Sequence, residues 1–294
     1  MLETNASRKG DVMSAKQAAV LISIVLWGAG MAMGQTIWEQ YPGNPVLEPG
    51  GPGEWDSLGR LVGAVVLNGD TYHMWFWGWD NSNNGIGHAT SSDGADWMMD
   101  PANPVLDHGQ PGDWDEYFYV PGMAVIHDGA QYVMWYSAGT ADLSTGRGGR
   151  ATSPDGSSWT KDEVNNPVLT VGDPGEWDDY YVGPSAVVLE GGVYKMWYNG
   201  HNGSFDQIGY AESPDGITWT KATENPILRT GPPGPWDAWV FNASVVFDGW
   251  VYHMWYAGYD RSGGDWMVGY AFSEDGIHHW TRHPGNPVTV SYTH

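Results

Sequence analysis

The sequence predicts an all-β protein, specifically a β-propeller, and three observations carry that reading: a repeat, its period and what fills it. One phrase starts at Asn44, Asn103, Asn166 and Asn225, each time as Asn-Pro-(Val/Ile)-Leu. It continues through Gly-x-Trp-Asp, then Tyr-x-Met-Trp-(Phe/Tyr), then Ser-x-Asp-Gly and a closing Trp. The openings lie 59, 63, 59 and 61 residues apart, counting a partial fifth at Asn286. A fixed period of this length, made of short apolar runs punctuated by Gly and Pro, marks a repeat architecture.

The third unit shows how each element arises. Residues 182–189 (Val-Gly-Pro-Ser-Ala-Val-Val-Leu) form a β-branched apolar run that suits a strand buried on both faces. Glu190-Gly191-Gly192 is a hairpin turn, and 193–198 (Val-Tyr-Lys-Met-Trp-Tyr) a second, aromatic strand. A polar loop over 199–206 leads to a third strand at 207–212. Ser213-Pro214-Asp215-Gly216 is a tight turn, with Pro presetting φ and Gly accepting a positive φ. A fourth strand follows at 217–221.

Four antiparallel strands per unit, in tandem, describe the blades of a propeller. A β-sandwich array is the rival, but uniform spacing with one aromatic set per unit selects blades. Two ring designs remain open: four blades, or five with one lacking. Ile37-Trp38-Glu39-Gln40 reads as an isolated fourth strand, because Trp38 precedes Asn44 much as Trp280 precedes Asn286. The chain stops eight residues after Asn286, which also fits a truncated gene.

Residues 1–34 differ in kind from the propeller domain at 35–294. Arg8, Lys9 and Lys16 precede an apolar run over 18–33 that ends in small residues. This reads as a secretory signal cut near Gly34–Gln35, with Met13 as an alternative start; a membrane anchor is the competing reading. Its removal takes away three basic and two acidic groups and leaves a net charge of −24, against −23 for the whole chain. The mature chain is expected outside the cytoplasm, in the periplasm, at the cell surface or beyond, with no membrane span. Such acidity excludes nucleic acid, whose phosphates need a basic patch. With no cysteine, disulfides and thiolate chemistry are excluded too. Stability must come from packing, chiefly of the 19 tryptophans.

Residues repeated in every unit are read as scaffold. The Trp-Asp carboxylates Asp56, Asp115, Asp178 and Asp237 should cap loops or bind backbone amides. The same holds for Asp93, Asp155, Asp215 and Asp275 in the tight turns. Met74, Met134, Met196 and Met254, with Trp75, Trp135, Trp197 and Trp255, should pack blade on blade. Function is expected where the units diverge, at the rim formed by the loops after the second strands and the entries to the first. Trp79, Tyr119, Tyr181, His201, Trp239, Asn242 and Tyr259 gather there as the candidate substrate-binding set. Flat rings stack on sugar C–H faces, and fixed polar groups read hydroxyls.

Gly-Glu-Trp-Asp, Tyr-Lys-Met-Trp-Tyr-Asn-Gly, Ile-Gly-Tyr-Ala-Glu-Ser-Pro-Asp-Gly-Ile-Thr-Trp and Asn-Pro-Val-Leu together resemble the five-bladed propeller glycoside hydrolases. These are the family-43 arabinanases and β-xylosidases and their exported bacterial relatives. The resemblance covers nearly all of 37–289. It implies an exported protein acting on poly- or oligosaccharide, with three carboxylates at the starts of innermost strands. The corresponding stretches, 60–64, 120–124, 182–186 and 240–244, contain neither Asp nor Glu. Asp80 and Asp260, at equivalent loop positions in units one and four, are the substitute acid/base pair, with His201 as a ligand or proton-carrying partner. Glu116, Asp179 and Glu212 are further carboxylates that could serve. The alternative is a non-catalytic, glycan-binding or surface-interaction propeller. Calcium would suit the Asp-rich loops, but no EF-hand-like spacing supports it, and no cofactor or metal is expected.

Overall fold

The structure is a computed structural model that describes residues 41–140, 146–231, 236–259 and 266–290, and, of the strand side chains, all but those of 119–121 and 289–290. The expected leader and the expected strand at 37–40 lie outside the described residues.

Among the described residues, four four-stranded antiparallel units follow one another, the second and third joined into one sheet by a parallel contact between Tyr181 and Gly146. Blade 1 comprises β1 (Gly59–Asn68), β2 (Thr71–Trp79), β3 (Asn84–Ser91) and β4 (Met98–Met99), and β5 (Leu106–Asp107) pairs back onto β3. Blade 2 comprises β6 (Tyr117–His127), β7 (Tyr132–Gly139), β8 (Gly146–Ser153) and β9 (Thr160–Lys161). Blade 3 comprises β10 (Tyr181–Glu190), β11 (Val193–His201), β12 (Asp206–Ser213) and β13 (Thr220–Lys221). Blade 4 comprises β14 (Trp239–Phe247), β15 (Tyr252–Tyr259), β16 (Trp266–Ser273) and β17 (Thr281–Arg282), and β18 (Thr289–Val290) returns to β16. No helix among the described residues is long and apolar enough to cross a membrane.

The outer strands are shorter than the sequence predicts, for a local reason. Asp215 Oδ1 accepts the amides of Ile217 and Thr218 at 2.8 and 2.7 Å, which withdraws both from the sheet. Only Thr220 and Lys221 remain to pair with β12. Asp93, Asp155 and Asp275 do the same in their blades. The glycine of each turn takes a positive φ, as at Gly216 (72°), where a side chain would be strained.

The core lies between blades. One face of each blade presents its tryptophan, and the opposite face of the next presents valine and methionine. Trp135 thus packs with Val187 and Met196, and Trp197 with Val245 and Met254. The indoles of Trp75, Trp135 and Trp197 each donate to the glycine carbonyl of the next blade's tight turn, Gly156, Gly216 and Gly276, at 2.8–2.9 Å. The sequence expectation holds for Trp75, Trp135 and Trp197 with Met134, Met196 and Met254, whereas Met74 packs with Val65 of its own blade and Trp255 stacks on His253 and Tyr270 of its own blade.

The Trp-Asp carboxylates are structural, but their partners are cations rather than the expected backbone amides. Asp115 meets Lys161 at 2.7 Å, Asp178 meets Lys221 at 2.6 Å, and Asp237 meets Arg282 at 3.2 Å. In each case the second residue of the outermost strand reaches under its own blade. The distance along the chain hides this pairing from a local reading.

Candidate functional site

Every innermost strand carries a register shift near its entry: between Val62 and Ala64, Phe118 and Met123, Pro184 and Ala186, and Phe241 and Ser244. Bulges of this kind bend a strand and re-aim its side chains. Two of the candidate residues, Tyr119 and Asn242, fall within these shifts.

The candidate residues fall into separate groups. Trp79 stacks on Trp77 with ring centroids 4.3 Å apart and lies over Gly59, where an added Cβ would come within 2.2 Å of the ring. Tyr181 leans toward blade 2, its hydroxyl donating to Ser137 Oγ at 3.1 Å and its ring covering Gly146. Tyr119 belongs to β6, and its side chain is outside the described residues. Asp80 Oδ1 accepts the amides of Ser82 and Asn83 at 2.7 and 2.6 Å, closing its own loop. Asp260 is outside the described residues, so the Asp80–Asp260 pair has no described geometry. Of the further carboxylates, Glu116 accepts Gly112 N, Asp179 accepts Gly175 N, and Glu212 accepts the Tyr210 hydroxyl.

Four of the named residues do come together, at the junction of blades 3 and 4. His201 ends β11 and touches Tyr180 and Trp239 edge to face, at 5.7 and 6.0 Å. Trp239 meets Tyr259 at 6.0 Å, Tyr259 meets Trp266 at 4.9 Å, and Trp266 meets Phe241 at 4.9 Å. The result is a continuous aromatic row with Trp266 about half exposed. Beside it Asn242 N donates to Asn199 Oδ1 at 2.8 Å, and Asn199 Nδ2 donates back to Asn242 Oδ1 at 3.2 Å. This reciprocal bond holds Asn242 at φ 53°, a left-handed backbone that non-glycine residues seldom take and that recurs at binding sites.

Sequence reasoning missed Asn199, Asp206 and Trp266. Asn199 was within reach of it: in an otherwise repeated Trp-(Phe/Tyr)-x segment, x is Trp77, Ser137, Asn199 and Ala257. Strong proton-affinity shifts belong to the scaffold. The carboxyls of Asp155 and Asp215 are held down to about 2, chiefly by the amides of Ser158 and Ser157 and of Thr218 and Ile217. Burial, then the charge of Asp178, pushes the Tyr198 hydroxyl well above the usual phenol range. Among the described residues no group of three or more His, Asp or Glu side chains is arranged to hold a metal ion.

No described protein-family profile matches the chain. Among solved structures it is similar to a putative glycosidase from Bacteroides thetaiotaomicron, with TM-score 0.66, 18% identity, and 86% of this chain and 83% of that one covered. A thermostable family-43 glycoside hydrolase gives TM-score 0.61 and 20% identity over 80% and 75% of the two chains. A family 117 glycoside hydrolase from Zobellia galactanivorans gives TM-score 0.60 and 16% identity over 83% and 73%. At these identities the likeness is one of fold, the β-propeller of glycoside hydrolases. Nearer in sequence is the uncharacterized protein MT1551 of Mycobacterium tuberculosis, 31% identical over 223 residues covering 70% of this chain and 69% of that protein. The uncharacterized protein Rv1502 of the same species matches to the same extent. A sequence likeness of this strength and span places the chain in the family of these two mycobacterial proteins, built on the propeller fold of the glycosidases.

Proposed function

We propose that the chain is an exported, carbohydrate-active propeller that binds and acts on a polysaccharide at the rim between blades 3 and 4. The observation that carries the reading is the aromatic row from Tyr180 through His201, Trp239 and Tyr259 to Trp266, flanked by the Asn199–Asn242 pair. Rings with fixed amides beside them match the two halves of sugar recognition, stacking and hydroxyl readout. The glycosidase-type fold supports the same substrate class. The leader-like sequence over 1–34, basic residues ahead of an apolar run, supports export.

Trp79, Tyr119 and Tyr181 extend the proposed surface toward blades 1 and 2. Asp80 and Asp260 are the residues assigned to acid and base work in any glycosidic cleavage. The test is saturable binding to arabinan, xylan, mannan or galactan, together with release of reducing ends above a heat-killed control. Release that survives both Asp80→Ala and Asp260→Ala removes that pair. Binding without release makes the protein the non-catalytic member of the same fold.

A further inference from the structure

One position of the repeat departs from the others in chemistry. The last residue of each second strand faces the first of each third strand: Trp79 opposite Asn84, Gly139 opposite Gly146, His201 opposite Asp206, Tyr259 opposite Trp266. Only blade 3 puts an imidazole against a carboxylate there, with His201 Nδ1 3.3 Å from Asp206 Oδ1. Both side chains are about four-fifths buried. A scaffold role would be expected in every unit, and three units fold without it.

Asp206 is an ionic neighbour of Nδ1 rather than a hydrogen-bond acceptor for it, and its negative charge favours the imidazole proton on that side, which leaves the Nε2 lone pair as the acceptor. Nδ1 is sealed from solvent and makes no hydrogen bond among the described residues. Asn199 precedes His201 by two positions on β11, so both side chains stand on one face, roughly 7 Å apart. Asn199 holds Asn242, whose Oδ1 is occupied as an acceptor, and this orients the Nδ2 donor of Asn242. A base, an aromatic platform at Trp239 and an amide donor therefore share one stretch of rim.

Their chemistry fits an ester better than a glycosidic bond. Glycoside cleavage of the usual kind needs two carboxylates flanking the bond, one of them an acid for the leaving oxygen. The carboxylate described beside His201 is Asp206, already committed to the imidazole. An ester needs a base for water and donors for the developing oxyanion.

We propose that His201 is the general base for hydrolysis of acyl esters carried on a glycan, with Asp206 as its positioning residue and Asn242 as the oxyanion donor. Water loses a proton to His201 Nε2 as its oxygen bonds to the acyl carbon. The carbonyl electron pair moves onto oxygen, which the Asn242 amide holds. Collapse breaks the acyl C–O bond, and the departing sugar alkoxide takes the proton back from the imidazolium. Water and ester give a carboxylic acid and a free glycan hydroxyl, with no other reactant. The proposal rests on the carbohydrate reading only for where the glycan lies.

The test measures acetate released from acetylated xylan and hydrolysis of 4-nitrophenyl acetate, with binding to deacetylated xylan followed in parallel. Wild type should release acetate. His201→Gln should lower kcat/KM roughly 100-fold or more with the melting temperature unchanged. Asp206→Asn should lower kcat while leaving KM nearly unchanged; a structural loss alone would lower the melting temperature along with the rate. A protein that binds xylan but releases no acetate, or a His201→Gln variant as active as wild type, overturns the proposal. Hydrolysis of 4-nitrophenyl acetate that depends on His201, without binding to any polysaccharide, keeps the base and overturns the carbohydrate reading. Neither binding nor hydrolysis overturns both.

Discussion

Arg60 Nε lies 2.6 Å from Asp56 Oδ2, and with that contact blade 1 solves in its own way a problem the other blades share. Each Trp-Asp carboxylate is buried, Asp56 to 99%. In blades 2 to 4 the compensating cation comes from the outermost strand, as Lys161, Lys221 and Arg282. Blade 1 has Met99 at that place, opposite Ala89 as Lys161 is opposite Ala151. Arg60, from the innermost strand, supplies the charge instead and also donates to the Glu48 carbonyl at 2.6 Å. It is therefore a structural cation at the rim, not one available for a ligand.

Removing that partner should be costly. Arg60→Met is expected to destabilise the protein by about 3–5 kcal/mol, because it strands a buried carboxylate. Adding Met99→Lys should restore part of the loss by rebuilding the arrangement of the other blades. Urea denaturation of the two variants checks this, and a double variant no better than the single one counts against the equivalence.

The blade junctions should depend on the indole N–H and not only on apolar bulk. Trp135 is fully buried and donates to Gly216 O at 2.9 Å. Trp135→Phe should cost more than its lost area, about 1–3 kcal/mol for the unsatisfied carbonyl alone. Thermal unfolding of Trp135→Phe beside a control at half-exposed Trp266 would separate a junction effect from a general one.

Two acid-sensitive windows are expected in stability. His73 Nδ1 lies 3.0 Å from His88 Nε2, and His88 Nδ1 lies 2.9 Å from Asp100 Oδ2. Burial, then the charges of His88 and His127, holds His73 below the ordinary imidazole range. The unfolded chain then binds a proton more readily than the folded one. Stability from this group is complete above about pH 6.5 and declines as pH falls from there toward the lowered folded value. Asp155 and Asp215, at about 2 when folded, lose their contribution further down, as pH falls from the ordinary carboxylate range toward 2. Melting temperature followed from pH 8 to pH 3, at roughly one-unit steps, should fall in two stages. His73→Gln should flatten the upper stage and leave the lower one.

Asn242 separates fold from function. Glycine at this position would relieve the left-handed backbone at φ 53° while removing the side-chain amide. Asn242→Gly should keep the melting temperature and lose roughly tenfold in glycan affinity, about 1.4 kcal/mol. Equal loss in both quantities would make the Asn199–Asn242 pair a structural clamp.

The fold was legible in the sequence wherever the determinants are local. The strand expected at 193–198 is observed as Val193–His201, and that expected at 207–212 as Asp206–Ser213, because alternation and turn residues act over a few positions. The expected strand at 217–221 shrinks to Thr220–Lys221, since the Asp215 side chain competes for the intervening amides. The site was less legible. Asp115 finds Lys161 46 residues away, and Asn199 finds Asn242 43 away, and no window of the sequence contains either pair. His201 and Asp206 are close in sequence, yet their opposition depends on the register across a loop. Asp80 sits where the repeat places it, but its first oxygen is taken by its own loop.

The central claim is that the blade 3–4 rim binds a polysaccharide, and isothermal titration of the chain and of Trp239→Ala with arabinan, xylan, mannan and galactan tests it most directly. The account predicts saturable binding to at least one of these and a loss of roughly tenfold or more in the variant, with its melting temperature retained. No binding to any of them, or binding that Trp239→Ala leaves unchanged, would contradict it.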